Sequence, residues 1–453
     1  MTTLWFRAAL LPDGWAEGVR LGIKGGRIAS VQAGAAAEPG DERHGTGLPG
    51  LVNVHSHAFQ RAMAGLAERR GPTDDDFWSW RMQMYRLVDT LGPGQVEAVA
   101  ALAYAEMLEA GFTRVTEFHY LHNDVGGRPY ADRAEMAVRI AAAADETGIG
   151  LTLLPVFYAH SGFGGAPPTA GQRRFINDLD GFAALVEASR AAISGLEDAG
   201  LGVAPHSLRA VTPEELAEVV ALAPDGPVHI HAAEQQKEVA DCLAWSGRRP
   251  AAWLLDHAGV DRRWCLIHAT HVDAAEVAAL ADRGAVAGLC PITEGNLGDG
   301  IFPARDFLAR GGRFGIGTDS NVLISVADEL RLLEYGQRLT HQERNVLAPG
   351  PGASTGAALY GRALAGGLQA AGRPDEGLRE GDPASFITLA EDEALPPDPH
   401  PDGAIDRWLF ASARPMVDCV WRRGRKLVAG GRHVRRAEIA ARCRRAMTAL
   451  AGV

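Results

Sequence analysis

Two histidines stand one serine apart in "LVNVHSHAFQ" (51–60). Imidazoles can bind a divalent metal or move a proton near neutral pH. Residues i and i+2 of a strand share a face, so a strand through 51–57 presents His55 and His57 together. The pair alone decides nothing, because a chain of 453 residues with 15 histidines contains about half of one such pair by chance. Three further stretches carry residues of matching chemistry: "VHIHAAE" with His231 and Glu234, "CLIHATH" with His268, and "RFGIGTD" with Asp319. Each has an ordinary reading. A strand histidine is most often a hydrogen-bonded core or rim residue, and an Asp after "GIGT" can cap the next helix. Together they fit a borderline-soft divalent ion, which takes imidazole nitrogens and a carboxylate and leaves one position for water. The expected metal set is His55, His57, His231 and Asp319.

Such a set must be brought together by the fold. Between about 49 and 372, short apolar runs alternate with alanine-rich amphipathic stretches. The runs are "LVNVHSH" (51–57), "RVTEFHY" (114–120), "LTLLPVF" (151–157), "LGVAPHS" (201–207), "VHIHAAE" (228–234), "CLIHATH" (265–271), "AVAGLCP" (285–291) and "RFGIGTD" (313–319). Helical text such as "QVEAVAALAYAEMLEAG" and "AAEVAALADRG" lies between them and stops at glycine. Eight strands alternating with helices predict a parallel sheet, and eight is the number that closes a barrel. An open doubly wound sheet is the other architecture with this alternation, but no glycine-rich dinucleotide turn follows the first strand. Chemistry on such a barrel gathers at the C-terminal strand ends, where all the residues named above fall. The flanks read differently. "VRLGIKGGRIASV" is a hairpin signal around Gly25-Gly26, and "ASFITLA" and "VDCVWRRGRKLVAGGR" are strand–turn–strand text. The expected fold class is therefore α/β: a (β/α)8 TIM-like barrel over 49–372 plus a small β-sandwich domain formed from both chain termini, 1–48 and 373–453, with a C-terminal helix. "EDEALPPDPHPDGA" (391–404) reads as an exposed loop of the small domain.

Composition narrows the function class. A net charge of −11 lacks the basic footprint of a nucleic-acid binder, and an anionic substrate would need local arginines against that field. Five widely spaced cysteines without a CxxC are no disulfide framework and point to a reducing compartment. The N-terminus, broken by Pro12 and Gly14, does not read as a secretory signal, and no apolar run is long enough for a membrane span. The expectation is a cytoplasmic soluble protein with no nucleic-acid or membrane partner.

"PGLVNVHSH", "HIHAAE", "CPITEGNLGDGIFP", "GIGTDSN" and the tail strand "REGDPASFITL" resemble the amidohydrolase superfamily, and the resemblance covers nearly the whole chain. "HSHAFQRAMAGLAE", "FWSWRMQMYRL", "EFHYLHND" and "APHSLRAV" are similar to its formimidoylglutamate deiminase family. That resemblance implies hydrolysis of N-formimino-L-glutamate to N-formyl-L-glutamate and ammonia in histidine degradation. Two-metal members of the superfamily generally bridge their ions with a carboxylated lysine. This chain has only Lys24, Lys237 and Lys426, none on the fourth strand, so one ion is expected, with zinc the default. The branch also implies a homodimer.

On this reading Asp319 and His268 accept or orient the proton of the attacking water, and Glu234 protonates the departing nitrogen. A substrate with two carboxylates calls for arginine, which grips a carboxylate with two parallel hydrogen bonds. Arg209, just past the fourth strand, and Arg81 in "FWSWRMQMY" are the candidates, with His206, Gln60, Tyr120 and Ser320 as further substrate contacts. Strict alternation turns Tyr120 away from Glu117 and His119, so its inward placement is expected to need a strand that stops near Phe118. Ser320 can equally be a helix cap. His119, His122, His160 and His271 are assigned structural roles. Two rival readings share much of this text. One is a zinc aminohydrolase of a heteroaromatic ring such as guanine or an adenosine derivative. The other is a catalytically silent barrel used as a scaffold.

Overall fold

The structure, a computed structural model, describes residues 2–71, 75–391 and 400–451. The chain opens with β1 (Thr2–Leu11), β2 (Gly14–Lys24), β3 (Arg27–Gln32) and β4 (Glu42–Pro49). It then runs through β5 (Leu51–Ser56), β6 (Phe112–His119), β7 (Gly150–Phe157), β8 (Gly200–Leu201), β9 (Ala204–Pro205), β10 (Val228–Ala232), β11 (Trp264–His268), β12 (Val286–Leu289) and β13 (Arg313–Ile316). It ends with β14 (Phe386–Leu389), β15 (Val417–Arg422), β16 (Arg425–Ala429), β17 (Arg432–His433) and the helix Arg436–Ala451.

The middle group forms the barrel. Neighbours from β10 through β13 to β5, β6, β7 and β8 pair in parallel. The ring closes where the 200–207 segment meets β10: His229 N donates to Val203 O at 3.2 Å and His231 N to His206 O at 3.0 Å. All eight expected strands are present. The fourth is the least regular, split into β8 and β9 around Gly202. A Cβ there would come within 2.3 Å of Pro227 O, so the close approach of the 226–228 chain requires glycine. Pro205 also removes a ladder donor. The helix Pro93–Ala110 shows why the intervening text folds as it does. Pro93 opens it at a position whose N–H has no intrahelical partner, and Gly111 closes it with a left-handed φ of 104°. Its alanines let it pack on several sides at once.

The small domain is one continuous sheet in the order β17-β16-β15-β14-β4-β1-β2-β3, antiparallel except for the β1–β4 pair. It curls onto itself. Ile28 N donates to Asp382 O and Ala384 N to Gly26 O, both at 2.9 Å, which joins the β2–β3 hairpin to the flank of β14. Leu4, Phe6, Leu21, Ile28, Phe386 and Trp421 fill the space inside the fold. Gly25 and Gly26 both have positive φ, 58° and 77°, as a two-residue hairpin turn requires. Beneath the barrel, the half-buried Asp198 pairs with Arg114 of β6, Arg422 of β15 and Arg373, and so ties the two sheets together. Of the stretch 391–404, residues 392–399 lie outside the described residues. Its far end is helical, continuing from Gly403–Asp406 into Arg407–Ala411. All five cysteines are free and buried. Among the described residues no helix is long and apolar enough to cross a membrane.

Candidate active site

His55, His57, His231 and Asp319 meet at the C-terminal mouth of the barrel, all buried, with one donor atom from each lying within 4.8 Å of the others. Asp319 Oδ1 is 3.1 Å from Nε2 of both His55 and His57. Nε2 of His231 faces Nε2 of His55 at 3.1 Å. The outer nitrogens of two of these rings are committed. His57 Nδ1 donates to Phe118 O and His231 Nδ1 to His206 O, each at 2.9 Å, so the Nε2 lone pairs of both point inward. Burial pushes the His55 imidazole down to about 3 and holds His231 well below its ordinary value. Neutral imidazole is the form that binds metal. Burial alone would raise Asp319, but the neighbouring His55 and His57 imidazoles outweigh it and keep the carboxyl well below the usual range. Three imidazole Nε2 atoms and one carboxylate around a common point fit a divalent cation.

The backbone that presents these groups is unusual. Ala233, His268, Ala269, Asp319 and Asn321 are non-glycine residues with φ between 49° and 65°, or 43° at Asp319. Such conformations cost about 1–3 kcal/mol each and persist where the surroundings enforce them. Here the enforcing contacts are visible. Thr318 N and Asp319 N both donate to His55 O, at 3.0 and 2.9 Å, and His57 N donates to Asp319 O at 2.9 Å. The Asn321 side-chain amide donates to His57 O at 3.2 Å and Asp319 O at 3.1 Å, and Asn321 Oδ1 accepts from Thr318 at 2.6 Å. Strand ends β5 and β13 are thus stitched together around the ligands. At β10 the left-handed turn at Ala233 throws Glu234 into the mouth, and the buried Glu238 carboxylate accepts from Glu234 N at 3.1 Å.

Glu234, 4% exposed, sits between His268 Nε2 and Arg209 Nη2, 3.9 Å from each. Burial raises its carboxyl, with His268 and Arg209 pulling the other way. His268 is buried, which opposes its charge. The carboxylates of Glu234, Glu294 and Asp319 overcome that and hold it up to about 10, and Glu294 Oε1 lies 3.2 Å from its Nδ1.

Above these groups a pocket opens, with about 540 Å³ of space free of atoms when its solvent mouth is included. His57, His231, Glu234, His268 and Asp319 form its floor, and Gln60, Arg81, Tyr120, His206 and Arg209 lie on its wall. The helix Phe77–Val88 carries Arg81 and also supplies Phe77, Trp80, Met84 and Tyr85. Arg81 Nε donates to Tyr85 Oη at 2.6 Å and Nη2 to Tyr158 Oη at 3.2 Å. Two wall atoms are buried without a partner: Gln60 Oε1 and Arg209 Nε. Orphaned polar atoms of this kind cost free energy until a ligand or water pairs them.

Two expectations change. Tyr120 faces inward although β6 runs on to His119. The inward face of β6 is the Phe118–Tyr120 face, with Phe118 packed 4.6 Å from the His231 ring, so alternation itself places Tyr120 and no early strand end is needed. Glu117 points the other way and accepts from Ala58 N at 2.7 Å. Ser320 is turned off the pocket: its hydroxyl lies 3.1 Å from Thr293 Oγ1, because the left-handed bend at Asp319 directs the next side chain behind the wall. His122 and His160 are tied to Val156 O and to Glu215, and the ring of His271 lies 2.9 Å from the Gln236 amide. Tyr85, Tyr158, Phe175 and Leu297 complete the wall. Of these only Tyr158, directly after β7, carried a signal: it follows a barrel strand.

Residues 46–427 match the family model described as "Amidohydrolase family", and residues 1–45 the one described as "Formimidoylglutamate deiminase HutF, N-terminal domain". The chain is 54% identical over 437 residues to "Formimidoylglutamate deiminase" of Pseudomonas aeruginosa, covering 96% of each. It superimposes with a TM-score of 0.97 on the crystal structure of an amidohydrolase from Brucella melitensis, 58% identical and fully covered on both sides. An adenosine deaminase from Xanthomonas campestris with bound zinc shares the fold at a TM-score of 0.81 and 24% identity, covering 100% of this chain and 99% of its own.

Proposed function

The chain belongs to the amidohydrolase family, and from that premise we propose that its site hydrolyses N-formimino-L-glutamate to N-formyl-L-glutamate and ammonia, a step of histidine degradation. The observation that carries the reading is the pairing of an imidazole–carboxylate floor with two arginines, Arg81 and Arg209, on the wall of the same pocket. It agrees with the activity named for the Pseudomonas relative. A neutral purine ring would leave Arg81, which meets only tyrosine hydroxyls in the pocket, without an anion, and Arg209 with Glu234 alone at 3.9 Å. A silent scaffold would have no use for a complete ligand set.

His55, His57, His231 and Asp319 would hold one divalent ion, most simply zinc. When bound there, the ion lowers the pKa of a water toward neutrality. Asp319 takes a proton of the attacking water, and His268, held cationic by the surrounding carboxylates, orients that water as its oxygen bonds to the formimino carbon. Both protons of the water reach the nitrogen that leaves, one delivered by Glu234 as the tetrahedral centre forms and the other, released through Asp319, as the carbonyl forms; the carbon–nitrogen bond breaks, and ammonia departs. Burial favours the protonated form of Glu234, which brings its acid function closer to neutral pH. Arg81 and Arg209 hold the two carboxylates, with Gln60, Tyr120 and His206 filling the space between. Burial, with Arg209 and Arg81 nearby, keeps His206 neutral, so it can accept or donate without adding charge. The reading includes a barrel at 49–372 that does the chemistry, a small β domain from 1–48 and 373–453 that braces it, a homodimer, and a cytoplasmic location.

Arg209→Ala is the test of the pocket. Losing a charged hydrogen-bonding partner of a carboxylate costs about 10- to 100-fold in binding. KM for N-formimino-L-glutamate is expected to rise by that factor while the bound metal, measured by elemental analysis, stays unchanged. An unaltered KM would remove Arg209 from the substrate site.

A further inference from the structure

Tyr158 stands directly after β7, with its ring 4.5 Å from that of His206 and 4% exposed. Its hydroxyl oxygen receives two hydrogen bonds: from Gln172 Nε2 at 2.8 Å and from Arg81 Nη2 at 3.2 Å. Neither partner can accept. A guanidinium has only donors. The orientation of the Gln172 amide is fixed because its Oε1 accepts from the Thr169 backbone N–H at 2.7 Å, a contact that the flipped amide would turn into N–H against N–H. Both lone pairs of the Tyr158 oxygen are therefore taken, and its own proton must point elsewhere. Tyr158 is a wall residue of the pocket.

Position says what that proton meets. The ring of His231 is 4.7 Å from that of His206, and His206 is 4.5 Å from Tyr158. Tyr158 thus lies two ring contacts away from the floor, where the reacting carbon would sit, and beside Arg81. A group there contacts the end of the substrate far from the reacting carbon.

We propose that the Tyr158 hydroxyl, turned by Gln172 and Arg81, donates its proton to the substrate carboxylate farthest from the reacting carbon and selects substrates that carry one. The inference rests on the functional reading above and adds to it a residue that distinguishes a dicarboxylate from a monocarboxylate. Gln172, buried and out of reach of the pocket, is a positioning residue.

The test compares two substrates, N-formimino-L-glutamate and N-formimino-L-norvaline, which keeps the carbon chain but lacks the far carboxylate. In Tyr158→Phe, KM for the glutamate compound is expected to rise about 10-fold, with kcat within about 2-fold of the parent. For the norvaline compound kcat/KM is expected to stay unchanged. Gln172→Met, which keeps the tyrosine but frees its rotor, moves the same KM in the same direction by a smaller factor. An unchanged KM in Tyr158→Phe, a loss carried by kcat alone, or an equal loss on both substrates overturns the proposal. A parent protein that turns over neither compound overturns the functional reading, and this inference with it.

Discussion

Glu234→Gln is expected to lower kcat by about 10²- to 10⁴-fold, the range for losing a positioned proton donor. KM should hardly move and bound metal should be retained. The side chain lies 3.9 Å from both His268 and Arg209, buried in the mouth, and touches none of the four metal-competent donors in the hydrogen-bond pattern. Glutamine keeps the size and can still hydrogen-bond, but it cannot pass a proton to the leaving nitrogen. Steady-state rates on N-formimino-L-glutamate, set beside the metal content, check this. A variant with kcat within a few-fold of the parent would take the proton transfer away from Glu234. A variant that loses its metal would show that Glu234 acts on the ligand set rather than on the leaving group.

Metal removal should have the larger effect. Dialysis against a chelator is expected to lower turnover by at least about 10³-fold, since a water of ordinary pKa replaces one brought near neutrality. Added zinc should restore it at one ion per chain. Asp319→Ala should give the same loss without restoration. Its carboxylate lies 3.1 Å from both His55 and His57, and among the described residues it is the one acid of that ligand group. The fold should survive both treatments, because β5 and β13 are joined by backbone hydrogen bonds that do not depend on the ion. Circular dichroism together with metal analysis separates lost metal from lost fold. Full activity after complete metal removal would contradict the mechanism.

Much of this was legible in the letters. The eight barrel strands announce themselves as short apolar runs between alanine-rich helices, because a parallel strand is buried on both faces and its partner helix on one. His55, His57, His231 and Asp319 stand at strand ends, so a barrel expectation alone converges them. The wall was less legible. Arg81 is visible only as one cation on an aromatic helix, and its neighbours Tyr85 and Trp80 look like ordinary core residues. Ala233, His268 and Asp319 adopt left-handed backbone without being glycine. Nothing local in the sequence signals those bends, which are imposed by Asn321, Glu238 and the neighbouring strand carbonyls. That is why Ser320, next to a ligand in sequence, faces Thr293 instead of the pocket. The role inferred for Tyr158 depends on two donors, Gln172 and Arg81, that are 14 and 77 residues away in the chain. Only the folded molecule shows that its proton is left over.

The central claim concerns which bond is cut in which substrate. The most direct measurement is to incubate the zinc-loaded protein with N-formimino-L-glutamate and identify the products by NMR and an ammonia assay. Equimolar ammonia and N-formyl-L-glutamate are the predicted result, with guanine and adenosine left untouched under the same conditions. Formamide and glutamate, which would mean cleavage on the other side of the formimino carbon, or no turnover at all by the zinc-loaded protein, would contradict it.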